Sequence, residues 1–192
     1  MDLHKIVVKF FAQDASAVRL DEFIPVFHRW IRTHAVDGML IDVADYGHLP
    51  KGPGVVLVAH EADYFMDTME GPLGLLYNRK TPSGGGLPDR IAAAFRSALG
   101  ACAQLEAEPE FRGRLKFRAG EALFIANDRL AAPNGDEAFR ALGPELSAAA
   151  SRVYPAGVDL RREAADPRRR LTVRLTSRGP VADVAALRAR LG

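Results

Sequence analysis

His60, Glu61 and Asp63 follow directly on the apolar run Val55-Val56-Leu57-Val58-Ala59, and Asp42, Asp45 and His48 lie a short loop upstream. Imidazoles and carboxylates can serve as a general base with an orienting partner, or as ligands for a divalent cation. A strand end holds such groups accurately, because the backbone that carries them is already fixed. The spacing is less specific than the residue types. His-Glu-Ala-Asp lacks the second histidine of H-E-x-x-H, so no metal-ligand set is assigned. Within a strand His60 and Ala62 share one face and Glu61 and Asp63 the other, so His60 meets Asp63 only if the strand ends near residue 60. On this pattern His60, Glu61 and Asp63 are the catalytic candidates. The plainer and commoner alternative is a polar strand end whose carboxylates accept hydrogen bonds from neighbouring backbone amides.

Two further strand ends carry polar groups. Leu75-Leu76-Tyr77 runs into Asn78-Arg79-Lys80, and then through Thr81-Pro82 into Ser83-Gly84-Gly85-Gly86 ahead of a helical pattern. A glycine loop before a helix can cradle an anion, and Arg79 and Lys80 add positive charge. The spacing matches neither a P-loop nor G-x-G-x-x-G, and triple glycine is more often a linker, so nothing here names a cofactor. Ile125-Ala126 leads into Asn127-Asp128-Arg129. Asp128 suits a turn-capping role, and Arg129 is expected to clamp an acid of the His60 group or a ligand carboxylate. Asn78, Arg79, Asp128 and Arg129 are therefore the substrate-binding candidates.

Arg161-Arg162, Arg168-Arg169-Arg170, Arg174 and Arg178 form a basic stripe. Alternation puts Arg170, Thr172 and Arg174 on one face of a strand and Leu171, Val173 and Leu175 on the other, with the arginines expected toward solvent. Residues 155–192 contain no Phe, Trp or Tyr, so the stacking platforms of a nucleic-acid surface are missing, and charge protection of an exposed edge explains the same residues. Phe23, Phe27 and Trp30 fall at helical spacing and read as core. Cys102 sits in an alanine-rich helical pattern and is a poor nucleophile.

Composition sets outer bounds. The chain has 192 residues, 48% of them hydrophobic and 26% charged, with a net charge of +2, which by itself implies neither a nucleic-acid nor a membrane partner. The charge is unevenly spread: residues 151–192 carry ten arginines against four acids, which leaves the rest mildly acidic. A lone cysteine, no apolar stretch near the roughly 20 residues that span a bilayer, and an N-terminus without signal-peptide regions lead us to expect a soluble cytoplasmic protein.

The elements that would position these groups follow from periodicity. Strands are expected over 5–12, 39–43, 55–63, 73–77, 115–117, 121–126, 158–163 and 170–176, and helices over 20–34, 88–106, 136–153 and 181–191. Turns fall at residues 49–54, at Glu70-Gly71-Pro72 and at Asp166-Pro167. The recurring order of strand, turn, strand and helix predicts an α+β two-layer sandwich, a mostly antiparallel sheet with helices packed on one face, ferredoxin-like or a pair of such halves. One domain spanning residues 1–192 is expected, with pseudo-halves 1–110 and 111–192. Because the polar clusters fit no catalytic spacing, the leading expectation is a non-enzymatic module that binds a protein or small-molecule ligand. Its competitor is a hydrolase or lyase with His60 as base, Glu61 or Asp63 orienting it or binding a metal, and Arg79 or Arg129 holding an anionic substrate. RNA binding through the arginine stripe is the weakest reading. A homo-oligomer is the default association, specified by no sequence feature.

Overall fold

The run Ile-Val-Val-Lys-Phe-Phe is buried at all six positions, which a strand achieves only inside a sheet covered on both faces. The computed structural model, which describes residues 1–49, 52–163 and 166–192, places it there. This strand, β1 (Ile6–Phe11), lies between β5 (Gly74–Arg79) and β6 (Glu121–Ala126). The remaining strands are β2 (Leu40–Asp45), β3 (Val55–Ala59), β4 (Ala62–Asp67), β7 (Val158–Arg162) and β8 (Leu171–Ser177). They form one eight-stranded sheet in the order β2-β3-β4-β5-β1-β6-β8-β7, every neighbouring pair antiparallel.

The two parts of the chain use the same route. After β1 comes helix α1 (Phe23–Thr33), and the chain then reaches one sheet edge and returns through β2, β3, β4 and β5 to β1. After β6 comes α3 (Asp136–Val153), and β7 and β8 return from the opposite edge to β6. Helices α2 (Leu87–Ala107) and α4 (Val184–Ala189) follow the two returns. The fold is thus an α+β sandwich of one antiparallel sheet and one helical layer.

Alternation decides which residues meet the helices. Ile6, Val8 and Phe10 of β1, Leu75 and Tyr77 of β5 and Phe124 of β6 join the core with Phe23, Phe27, Trp30 and Phe95 of the helices. Pro25 lies in the first turn of α1, where its missing N–H costs nothing. The helix ends at His34, which takes the left-handed conformation at φ 53°. Among the described residues no helix covers the opposite sheet face. It carries a small apolar cluster of Val7, Leu76 and Ile125 with Phe65 beside it.

The elements differ from the periodicity reading at three places. The apolar run stops at Ala59, and His60-Glu61 is a two-residue turn into β4. Residues 115–117 make only a single bridge, Phe117 to Ala12. The last helix spans only Val184–Ala189, with the Asp183 side chain accepting from the Ala186 N–H at its start. The turn expected at residues 49–54 includes Pro50 and Lys51, which lie outside the described residues. Among the described residues no helix is long and apolar enough to cross a membrane.

Candidate functional site

The turn between β3 and β4 places His60 in solvent and ties its backbone N–H to the Met39 carbonyl at 2.9 Å. Glu61 Oε2 accepts from the Met39 N–H at 3.1 Å, which is the main reason its carboxyl is held below the usual carboxylate range. Asp63 Oδ1 accepts from Lys80 Nζ at 2.7 Å and from the Ala59 N–H at 3.3 Å. No hydrogen bond joins the His60 ring to either acid among the described residues. His48 does not approach His60 at all. Leu40 pairs with Ala59 and Asp45 with Val55, so His48 lies beyond the other end of β3, which at ~3.3 Å per residue is roughly 13 Å of strand away. Asp42 and Asp45 accept from the nearby Val43 and Gly47 N–H groups. Among the described residues no three His, Cys, Asp or Glu side chains are grouped to hold a metal ion.

The substrate-binding candidates divide between the two faces of the sheet. Asn78 lies on the helix-free face, whereas Arg79 points to the helical side and donates through Nε to the Thr81 carbonyl at 3.1 Å. Asp128 caps its own turn, accepting from the Leu130 and Ala131 N–H groups. Arg129 is exposed and donates to the Arg168 carbonyl at 2.9 Å, which ties it to the β7–β8 hairpin and not to the His60 turn.

The helix-free face assembles a group that the spacing of residues did not reveal. Lys9 lies in the middle of β1 with its side chain 0% exposed, and its Nζ donates to Asp67 Oδ1 at 2.6 Å and to the Asp67 carbonyl at 3.2 Å. To reach β4 this side chain must pass over β5. It does so beside Gly74, where a Cβ would stand 3.0 Å from Lys9 Cε. Absence of a side chain at Gly74 therefore opens the path. Phe11 lies between two cations, with Lys9 Nζ 5.6 Å and the Arg174 guanidinium 5.3 Å from its ring centre. Arg174 also bonds Glu121 and both oxygens of Glu163, and that partnership holds the Glu163 carboxyl below its ordinary range.

Residues 68–73, which join β4 to β5, fold back over this face. Gly71 sits against the Phe11 ring, and Glu70 pairs with Arg170 at 2.6 Å and with Arg169 at 3.2 Å. Arg170 also donates to Asn127 Oδ1 at 3.0 Å, and Asn127 Nδ2 donates to Asn78 Oδ1 at 3.1 Å. A polar chain thus runs from the loop past the ends of β8, β6 and β1 to Asn78 of β5. It corrects the expectation that Arg170 and Arg174 stand free in solvent: their side chains are only 32% and 19% exposed, Arg170 paired with Glu70 of the loop and Arg174 with Glu121 and Glu163 of the neighbouring strands.

Two adjoining hollows lie under the loop. One of about 350 Å³ is bordered by Leu123, Glu163, Arg169 and Thr172. The other, of about 200 Å³, has an apolar floor of Val7, Phe65 and Leu76 and a polar end of Asn78 and Asn127. Met69, Glu70 and Arg170 line both, so the Glu70–Arg170 pair is the partition between them. Lys9 is sealed from solvent and committed to Asp67, so it lies out of reach of a bound molecule. The accessible chemistry is an apolar floor beside hydrogen-bond donors that already hold one carboxylate.

Comparison of the chain with protein-family models, with curated proteins and with solved structures gives no match.

Proposed function

We propose that this protein is a non-enzymatic binding module that takes a small molecule with an apolar body and a carboxylate-like head on the helix-free face of its sheet. The observation that carries this reading is the hollow of about 200 Å³ in which Val7, Phe65 and Leu76 lie beside Asn78, Asn127 and Arg170. Ligand sites combine an apolar lining with a few polar groups that fix orientation. Arg170 donates through Nη1 to Asn127 and through Nη2 to a Glu70 carboxylate oxygen. A ligand carboxylate would exchange for that of Glu70 with no change in charge at Arg170.

Catalysis at His60 would need a carboxylate against the ring, and the two nearby acids are engaged with the Met39 and Ala59 N–H groups and with Lys80. That reading has no supporting contact. The test of the binding reading is a titration of the full chain with hexanoate to about 10 mM, the range in which a small apolar acid registers at all, followed through methyl NMR signals. Val7, Leu76 and Ile125 should shift together and saturate. Absence of any shift, or shifts scattered over the helical core, defeats the reading.

A further inference from the structure

On the helical side of the sheet, away from the loop of residues 68–73, a hollow of about 60 Å³ lies between α2 and the ends of β1 and β5. Arg79, Ser83, Arg90 and Ser97 border it, with Ile6 and Tyr77 behind. We propose that this hollow is a binding site for a phosphate-class oxyanion, held by the guanidinium groups of Arg79 and Arg90 and the hydroxyls of Ser83 and Ser97.

Local geometry builds the site. Arg90, Ala93, Ala94 and Ser97 stand at positions i, i+3, i+4 and i+7 of α2 and so share one helical face, where the two alanines leave the space that larger side chains would fill. Arg79, at the end of β5, faces that stripe. Ser83 opens the glycine segment that leads into the helix.

One basic group here is buried with a donor to spare, and a second, half-buried, carries no ion pair among the described residues. The Arg90 side chain is 8% exposed, yet its interactions run through one nitrogen, Nη1, which bonds Asp2 Oδ1 at 3.0 Å and contacts the His4 ring. Its Nε is buried with no acceptor among the described residues. A buried guanidinium N–H left without a partner is costly, and such an atom in a folded protein points to a missing acceptor. Arg79 donates only through Nε, to the Thr81 carbonyl, and no ion pair forms on it among the described residues. Among the described residues the one acid paired with either arginine is Asp2, whose side chain is 79% exposed.

Size and geometry select the ligand. A hollow of about 60 Å³ is far below the roughly 300–1,000 Å³ of a drug-sized ligand site and suits a small anion. Guanidinium forks bind such oxygens two at a time, and hydroxyls complete the coordination. The site shares no residue with the face proposed for the carboxylate ligand, and either stands without the other.

The experiment titrates the full chain with inorganic phosphate, and separately with methyl phosphate, against sodium chloride of matched ionic strength, reading calorimetric heats and thermal unfolding. Saturable phosphate binding is expected, with Kd in the millimolar range or below. Arg79→Gln should weaken it about tenfold or more, Ser97→Ala should weaken it by a few fold, and Arg140→Gln on the exposed side of α3 should leave it unchanged. Arg90→Lys, which keeps the charge and loses the fork, serves as the second variant should removal of Arg79 impair folding. Binding of both probes marks the hollow as open to a phosphate monoester, and binding of inorganic phosphate alone marks it as a site for the free anion. Stabilisation no greater than that of chloride, or a midpoint unchanged by both Arg79→Gln and Ser97→Ala, overturns the proposal.

Discussion

Lys9 and Asp67 are partners across an intervening strand. The lysine leaves β1, crosses β5 beside Gly74 and meets the Asp67 carboxylate on β4 at 2.6 Å, with both side chains at most 1% exposed. The pair stitches three adjacent strands through side chains in addition to the backbone ladder. Met69 N–H also donates to the same carboxylate oxygen, so the pair fixes the start of the loop that covers the open face.

Removing one member should cost far more than removing both. Lys9→Met leaves Asp67 as an uncompensated buried charge and should destabilise the protein by about 3–5 kcal/mol. The double variant Lys9→Met/Asp67→Asn keeps an acceptor for the Met69 N–H and should recover a large part of that loss. Urea unfolding of the two variants checks this; equal losses would mean that the pair is not coupled.

Gly74→Ala should be nearly as damaging without touching a charge. The added Cβ would lie 2.3 Å from the Phe10 carbonyl oxygen and crowd Lys9, so β1 and β5 must separate at the centre of the sheet. A loss of about 3 kcal/mol is expected. The readout is the unfolding midpoint, together with faster amide exchange at Phe10 and Phe11.

Arg170→Gln tests the loop. With Glu70 left to Arg169 alone, amides 68–73 should exchange faster while those of β1 and β6 keep their protection. Global stability should fall only on the order of 1 kcal/mol, since the pair is partly solvated. Uniform acceleration across the sheet would show that the loop is not an independent unit.

Trp30 gives a pH prediction. Its indole N–H donates to Glu108 Oε1 at 2.6 Å, and Arg29 and Gln104 also donate to that carboxylate. Burial pushes the Glu108 carboxyl up, but these three donors outweigh it and hold it below its ordinary value. A carboxyl depressed in the folded state contributes stability above its unfolded pKa and loses that contribution as pH falls through the folded one. Stability should therefore decline on the acid side, below the usual carboxylate range. Trp30 is the only tryptophan in the chain, so its emission reports the loss of this contact, and Glu108→Gln should flatten the acid limb.

Much of the architecture is legible in the residues. The periodicity of residues 121–126 and 136–153 coincides with β6 and α3, because both segments are bounded by glycine or turn residues. β4 is less legible: the turn before it is His60-Glu61, which has neither the glycine nor the asparagine of a common hairpin turn and reads as the polar end of one strand. Alternation assigns Arg170 and Arg174 to the face away from the helices, and that is where they lie, but it carries no information about the distant acids that pair with them, Glu70 with Arg170 and Glu121 and Glu163 with Arg174. Lys9 is the one visible signal of the open-face group, a lysine inside an apolar run that requires a partner. That the partner is Asp67 depends on the order of strands, which no local pattern encodes.

The position of β1 bears on how the molecule is made. β1 leaves the ribosome before either of its neighbours in the sheet, with Phe11 waiting for Gly74 and Ile6 for Ala126. Until β6 is synthesised, the nascent chain exposes an unpaired edge at what becomes the middle of the finished sheet, where it can zip onto another copy. The protein should therefore be most vulnerable to misassembly during its own translation, and folding from the complete chain should be slow because it waits on long-range closure.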